Sequence, residues 1–261
     1  MASLQGSQRL DYDGIAEIYD VHPYRAKTTD PELTAFLGER DSLGELALLD
    51  IACGTGNQLI ANRLMLPTAR IVGIDHSLGM LRPARRKAPA IGWVRANAAS
   101  VPLADSSFDF ISCQFAFHHF PDKSGMLSEA FRLLRPHGRL VLHNLCPEEC
   151  PDWLYYRYFP ETWVIDQRHF WPVGMIASTM DAVGFSPVAI EQEHKRRDLN
   201  VAEWIARVHE RASCSQLLTI SDAAYVAGIE RVERDIADPK MPPIVANHRC
   251  LVTIRGGRPS R

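Results

Sequence analysis

No apolar run in this sequence approaches the roughly 18 residues that a bilayer span requires. The opening MASLQGSQRLDYDG has no apolar h-region, so a secretory leader is not expected. Cysteine is sparse: six in 261 residues, none in a CxxC pair. That excludes a disulfide scaffold and points to reduced thiols in a cytoplasmic protein. An excess of one charge is missing as well, since 29 Lys and Arg stand against 31 Asp and Glu. Nucleic-acid binding needs a concentrated basic surface, so neither nucleic acid nor a membrane is an expected partner. Internal repeats, low-complexity tracts and flexible linkers are absent too. A small-molecule partner fits this composition best, and the oligomeric state is left open.

What is present is an alternation of elements. Residues 1–13 are polar and read as a mobile lead-in, followed by a short helix around Ile15–Tyr19 that His22-Pro23-Tyr24 breaks. Asp30 is placed to cap a helix that begins at Pro31 and presents Leu33, Phe36 and Leu37, with Gly38 closing it in the left-handed conformation. Apolar runs at 46–52, 70–75, 92–96, 108–117 and 139–145 read as strands, separated by segments of helical period. Ser77 is placed to cap the helix after the second strand, and Pro83 should kink or delay that helix. Pro136-His137-Gly138 reads as the turn into the fifth strand. Strands of this continuous apolar character, alternating with helices, predict a doubly wound, mostly parallel α/β sheet covered on both faces.

The remainder departs from that rhythm. Residues 147–172 hold eight of the chain's 22 aromatics, including Trp153, Tyr155, Tyr156, Tyr158 and Trp163. A helix over 173–183 ending at Gly184, a strand near Pro187–Glu191, two helices capped by Asn200 and Ser221, and a final strand over Arg249–Arg255 complete the reading. The organisation expected is a single domain: an N-terminal helical cover (1–45), a ligand-binding core (46–147), and a stretch (148–261) that completes the sheet and adds a helical, aromatic-rich cap.

The chemistry concentrates at Asp50-Ile51-Ala52-Cys53-Gly54-Thr55-Gly56, a bend of small residues between the first strand and its helix, where a backbone can approach a ligand closely. The dinucleotide fingerprint G-x-G-x-x-G fails, with Ala52 and Asn57 in place of glycines, which counts against a nicotinamide oxidoreductase. No Gly-Lys-Ser/Thr follows, so a triphosphate is a poor fit, and Asp50 favours a ligand bearing an ammonium or sulfonium instead. Asp75 lies 19 residues beyond Gly56 at the end of the second strand, where a carboxylate can accept both hydroxyls of a ribose. An ordinary βα turn followed by a helix-capping Asp is the plainer account of the same residues.

The segments LLDIACGTG, IVGIDHSLGML, RANAASVPLADSSFDFISCQFAFHHF and LRPHGRLVLHNL, in that order over roughly residues 15–147, resemble the signature of class I S-adenosylmethionine-dependent methyltransferases. The resemblance is to the small-molecule type that includes the ubiquinone and menaquinone C-methyltransferases. It implies a seven-stranded, Rossmann-like sheet with the last strand antiparallel, and S-adenosyl-L-methionine as cofactor. It further implies that Ala52, Gly54, Thr55 and Gly56 surround the methionine part, that Asp75 holds the ribose, that His76 is a further cofactor contact, and that Met80 packs on adenine. Asn97 and Ala98 fall at the adenine amino edge, and Gln114 near the sulfonium. Asn97 stands where the family usually has Asp. Tyr19 and Asp20 resemble the segment that folds over the cofactor in this group, with Arg25 matched to the methionine carboxylate.

Methyl transfer from a sulfonium is an in-line displacement, so alignment and exclusion of water come first, and a base is needed only for an acceptor that holds its proton. His118 and His119 follow the fourth strand and are the candidate bases, His119 ahead of His118. Packing of the loop is the competing role for both. Tyr155, Tyr156, Tyr158 and Trp163 are candidate acceptor contacts. Two other functional classes stay open at this point: a non-catalytic module that keeps the cofactor fold, and an arsenite methyltransferase using Cys146, Cys150 and Cys214. No metal ligands are expected. A base-modifying nucleic-acid enzyme is disfavoured, because Gln114-Phe115-Ala116-Phe117 stands where Asp/Asn-Pro-Pro-Tyr/Phe would follow strand four.

Overall fold

The computed structural model describes residues 12–16, 19–21, 25–40 and 44–260. In chain order the elements are α1 (Tyr12–Ile15), α2 (Pro31–Gly38), β1 (Ala47–Ile51), α3 (Asn57–Met65), β2 (Arg70–Asp75), α4 (Leu78–Lys87), β3 (Gly92–Arg95) and β4 (Phe108–Gln114). They continue as α5 (Lys123–Leu133), β5 (Leu134–Leu145), α6 (Leu154–Tyr158), α7 (Pro160–His169), α8 (Val173–Val183), β6 (Val188–Asn200), α9 (Val201–His209), α10 (Ser215–Thr219), α11 (Asp222–Ala237) and β7 (Ile244–Gly257). No described helix is long and apolar enough to cross a membrane.

The strands form one seven-stranded sheet in the order β3-β2-β1-β4-β5-β7-β6. β1 pairs in parallel with β2 and β4, β2 with β3, and β4 with β5. β7 runs against its neighbours: the amide of His137 bonds to the carbonyl of Arg258, and that of Cys146 to Cys250, so partner numbers fall as β5 advances. The sheet is therefore mixed and mostly parallel. β1 is buried along its whole length and β4 up to Ser112 and Cys113, as continuous apolar patterning predicts for strands covered on both faces.

The chain divides into two compact units. One, the sheet unit, comprises Tyr12–Asn144, Val173–Glu191 and Val252–Arg261; the other, the aromatic unit, contains Leu145–Pro172 and Gln192–Leu251. Within the sheet unit, Leu33, Phe36 and Leu37 of α2 pack with Leu48, Ile71, Leu81, Trp93 and Phe110 in one apolar cluster. Asp30 caps α2 by accepting the Glu32 amide at 2.9 Å, and Ser77 caps α4 by accepting the Met80 amide at 3.0 Å.

Several expectations are corrected. The lead-in does not extend through residue 13, because Tyr12 and Asp13 begin α1. Residues 1–11, Tyr24 and the break at His22-Pro23 lie outside the described residues. Gly38 does not cap α2 in the left-handed region; Glu39 ends the helix in right-handed geometry. Pro83 sits inside α4 without delaying it, since the helix starts at Leu78 directly after its Ser77 cap. The fourth strand stops at Gln114, and Phe117–His119 form a single 3-10 turn. Pro136-His137-Gly138 is an irregularity within β5, with His137 at φ 63°, and β5 gains residues against β4 between Phe108 and Phe110. Residues 200–238 hold three helices rather than two, although both predicted caps stand: Asn200 accepts the Ala202 amide and Ser221 the Ala224 amide.

Candidate cofactor site

The bend after β1 owes its shape to backbone conformations that ordinary residues avoid. Ala52, Gly54 and Gly56 all have positive φ, at 59°, 56° and 81°. Gly56 needs its missing side chain twice over, because a Cβ there would lie 2.3 Å from the Trp93 ring. Gly54 is different: a Cβ would meet nothing within 4 Å. The bend is thus packed from below at Gly56 and left open at Gly54.

Asp75, at the end of β2, ties this bend to the next helix. Its carboxylate accepts the Gly54 amide at 2.8 Å and the Ser77 amide at 2.9 Å. Burial raises its pKa, and those two amide donors pull it back. A carboxylate offers about four acceptor positions, so the Gly54 and Ser77 amides leave acceptor capacity for a hydroxyl donor. His76 beside it is exposed, while Met80, one turn into α4, is buried. Asn97 is exposed and turns its side-chain oxygen to the Ala99 amide at 3.1 Å; Ala98 is buried.

Deeper in the bend lies an acidic group. Asp50 is buried and accepts the Ser112 hydroxyl at 2.8 Å; burial pushes its carboxyl up to about 7. Asp30 is buried too, raised in pKa by burial, and accepts from the Gln114 amide at 2.9 Å. The Lys27 ammonium reaches the other end of the Gln114 amide at 3.4 Å and feels the charges of Asp50 and Asp30, while burial pulls its pKa down. Gln114 is therefore held between a cation and an anion. Phe115 follows it at φ 53°, half-exposed, with Lys27 Nζ 5.8 Å from its ring centroid.

The N-terminal segment closes over these residues. Asp20 accepts the Thr55 hydroxyl at 2.6 Å, the Asn57 amide at 2.8 Å and the Lys87 ammonium at 2.7 Å. Burial alone would raise the Asp20 pKa, but these donors outweigh it and hold the carboxyl below its ordinary range. Arg25 donates to the Tyr19 hydroxyl at 2.7 Å and lies 3.9 Å from that ring's centroid. Asp13 of α1 accepts the Ser77 hydroxyl and the Gly79 amide; the Ser77 bond leads in lowering its pKa. The neighbouring Tyr12 hydroxyl meets His119 Nε2 at 2.9 Å. Burial raises the Tyr12 pKa well above the usual phenol value, so the group stays a phenol. The His118 and His119 rings lie 3.8 Å apart, His118 buried and His119 half-buried.

Every predicted cofactor residue, together with both histidines, belongs to the sheet unit. Four residues near them carry charge or hydroxyl chemistry that the sequence reading overlooked or took only as structural: Tyr12, Lys27, Asp30 and Ser112. Their partners lie 62 to 107 positions away, and no local pattern announces such pairs. The candidate acceptor residues belong to the aromatic unit. There Tyr155, Tyr156 and Tyr158 are buried, Trp163 is half-buried, Tyr156 donates to Asp166 at 2.8 Å and Tyr158 to Asp235 at 2.9 Å. Burial pushes the thiols of Cys146, Cys150 and Cys214 up to about 12, 11 and 12, away from the thiolate form that binds soft centres.

The bend fits the group that the resemblance implies. Open space at Gly54 admits a ligand against the backbone, Asp75 retains acceptor capacity for a diol, and Asp50 and Asp30 are buried carboxyls whose ionised form a cationic ligand would favour.

Comparison with known proteins agrees. The family described as "Methyltransferase domain" matches residues 49–142. The demethylmenaquinone methyltransferase of Thermus thermophilus is 38% identical over 104 residues, which cover 38% of this chain and 47% of that protein. That of Lactiplantibacillus plantarum is 30% identical over 176 residues, covering 56% of this chain and 72% of that protein. The match thus spans about half of the first relative and nearly three quarters of the second. The phosphoethanolamine N-methyltransferase 2 of Haemonchus contortus, solved with S-adenosyl-L-methionine, superimposes with a TM-score of 0.60 at 18% identity, over 95% of this chain and 57% of that one, a likeness of fold. With the bend, the acid at the end of β2 and the sheet order in agreement, the chain belongs to the class I S-adenosylmethionine-dependent methyltransferases.

Proposed function

We propose that this chain transfers a methyl group from S-adenosyl-L-methionine to a small-molecule acceptor that must give up a proton. The observation that carries the reading is the bend itself: open at Gly54, closed by Trp93 behind Gly56, and fastened by the Asp75 carboxylate. In this reading Ala52, Gly54, Thr55 and Gly56 hold the methionine portion, with Asp50 and Asp30 as counter-charges. Asp75 takes the ribose hydroxyls and Met80 provides the apolar floor for adenine. His76, Asn97 and Ala98 border the base, and Gln114 is set by Lys27 and Asp30 at the end of β4. Tyr19 and Arg25 cover the site from the N-terminal side. The bound cofactor supplies a methyl on a positively charged sulfur, a leaving group that needs no further activation.

The protein's own chemical contribution is proton handling at His119. The Tyr12 hydroxyl orients the ring by bonding to Nε2. A phenol with a raised pKa does not ionise by itself, so it passes one proton to Nε2 only as it receives another from the acceptor. No charge is then left on the tyrosine. His118, buried against the His119 ring, supports its position. Because curated relatives act on demethylmenaquinone by name, a prenylated naphthoquinol is the first acceptor to test.

The test combines binding and turnover. Calorimetric titration should show S-adenosylmethionine and its demethylated product binding, with NADH inert; failure of both to bind rejects the reading. With a competent acceptor, His119→Ala and Tyr12→Phe should each lower kcat about 10²-fold, with cofactor affinity unchanged. Near-normal turnover in both variants would return the pair to a packing role.

A further inference from the structure

The sheet ends in an unusual edge. β6 is the outermost strand beside β7, and at 13 residues it is about twice the common strand length. It holds neither proline nor glycine. From Gln192 to Asp198 every residue is exposed except the half-exposed Lys195, and among the described residues this stretch is left largely open, with Gln192 reaching back to the Cys146 sulfur. A long uncovered edge of unpaired amides and carbonyls is a template for another strand unless something blocks it. Scattered lysines or an inward charge commonly serve as the block. Here the charges are not scattered but divided: Glu193 precedes His194, and Lys195, Arg196 and Arg197 follow.

We propose that two copies of this chain associate by antiparallel pairing of β6 with β6, with His194 on the two-fold axis. This register sets Glu193 opposite the second copy's Lys195, and Lys195 opposite its Glu193. Gln192 then faces Arg196. Within one chain Glu193 and Lys195 already stand on the same face of the strand, 2.9 Å apart, so the two pairs merge into a ring of four alternating charges. A parallel, in-register arrangement would oppose Glu193 to Glu193 and Lys195 to Lys195, and like charges directly opposite are unfavourable.

The backbone supports the same register. The Val201 amide, directly after β6, bonds inward to the carbonyl of Pro243, directly before β7, so alternation back along β6 turns the Glu193 amide inward as well. By strand alternation, the amides of Gln192, His194 and Arg196 turn outward. In an antiparallel pair centred on His194, those three are the residues that exchange hydrogen bonds, and Glu193 and Lys195 fall at the non-hydrogen-bonded positions, where opposed side chains come closest. Charge complementarity is therefore greatest where side chains approach most. Such an edge contact buries less than the roughly 1,200 Å² of a tight complex, so the association expected is weak, in the micromolar to near-millimolar range.

Sedimentation velocity on the full chain, from micromolar to near-millimolar concentration, tests this directly. The unmodified chain should pass from monomer to dimer. Glu193→Lys and Lys195→Glu should each weaken dimerisation at least about tenfold, since each sets like charges in opposition at two places. The double swap E193K/K195E should restore it. His194→Pro, which removes an outward amide, should abolish it, and unchanged thermal midpoints would show that the variants fold. A chain monomeric throughout, or a dimer indifferent to the charge reversals, overturns the proposal. Cofactor binding is read separately, so this result and the proposed activity fail independently.

Discussion

The two compact units spend backbone strain differently. Every described residue with a positive φ, whether alanine, serine, phenylalanine, histidine or glycine, belongs to the sheet unit, and Ala52, Gly54, Gly56 and Phe115 gather just beyond β1 and β4. The aromatic unit holds none among its described residues. Its constraint is packing instead: Trp153 lies 4.8 Å from Tyr155 and 5.0 Å from Tyr156 between ring centroids, and Tyr158 lies 5.0 Å from Trp204. Buried polar atoms divide less cleanly, since Glu161 Oε2 and Trp204 Nε1 of the aromatic unit are buried without a hydrogen-bond partner among the described residues, yet the buried carboxyls differ. In the aromatic unit Tyr156 and Asp166 satisfy one another. In the sheet unit Asp75 is fastened but keeps acceptor capacity, and Asp50 carries a raised pKa beside an open bend. Backbone strain collects where a ligand can repay it, whereas the aromatic unit, free of such strain among its described residues, is organised as a core.

That contrast can be broken by substitution. The largest effect should come from Gly56→Ala, which combines a left-handed alanine with a Cβ driven into the Trp93 ring. Denaturant unfolding should show a loss of about 3 kcal/mol or more. A loss below about 1 kcal/mol would mean that Trp93 can move aside and that the bend is not packed from behind.

Next in size is a pH effect in the aromatic unit. Burial raises the Asp166 carboxyl from 3.8 to about 6, so the folded state binds its proton more tightly than the unfolded chain does. That contribution is fully present below about pH 4 and is lost as pH rises through about 6. Asp166→Asn removes the titration and keeps an acceptor for Tyr156. Relative to the unmodified chain, it should gain roughly 2 to 3 kcal/mol between pH 4 and pH 7, then level off. A pH-independent difference between the two proteins would show that Asp166 is not buried as a charge.

Gly54→Ala should have the smallest effect on stability and sharpens the comparison most. Its Cβ meets open space, so only the positive φ opposes it, at a cost of about 1 kcal/mol. Affinity for the demethylated cofactor should nevertheless fall at least about tenfold, because the added methyl occupies the ligand's side of the bend. Two glycines two positions apart would then report separately, Gly56 on folding and Gly54 on binding. Equal affinity losses without destabilisation in both variants would erase that distinction.

Some of this was readable from the chain alone. The bend from Asp50 to Gly56, Asp75 beyond it and the caps at Asp30, Ser77, Asn200 and Ser221 are local features, and each lies within one strand–turn–helix stretch where neighbours in sequence are neighbours in space. The parallel strands were legible for a similar reason, since burial on both faces leaves a continuous apolar run. Tertiary structure alone brought Tyr12 to His119, Lys27 and Asp30 to Gln114, and Asp20 to Thr55 and Lys87. Such pairings depend on how the N-terminal segment crosses the sheet's carboxyl edge. Loop closure over many residues leaves no periodic trace, so only the folded chain reveals them.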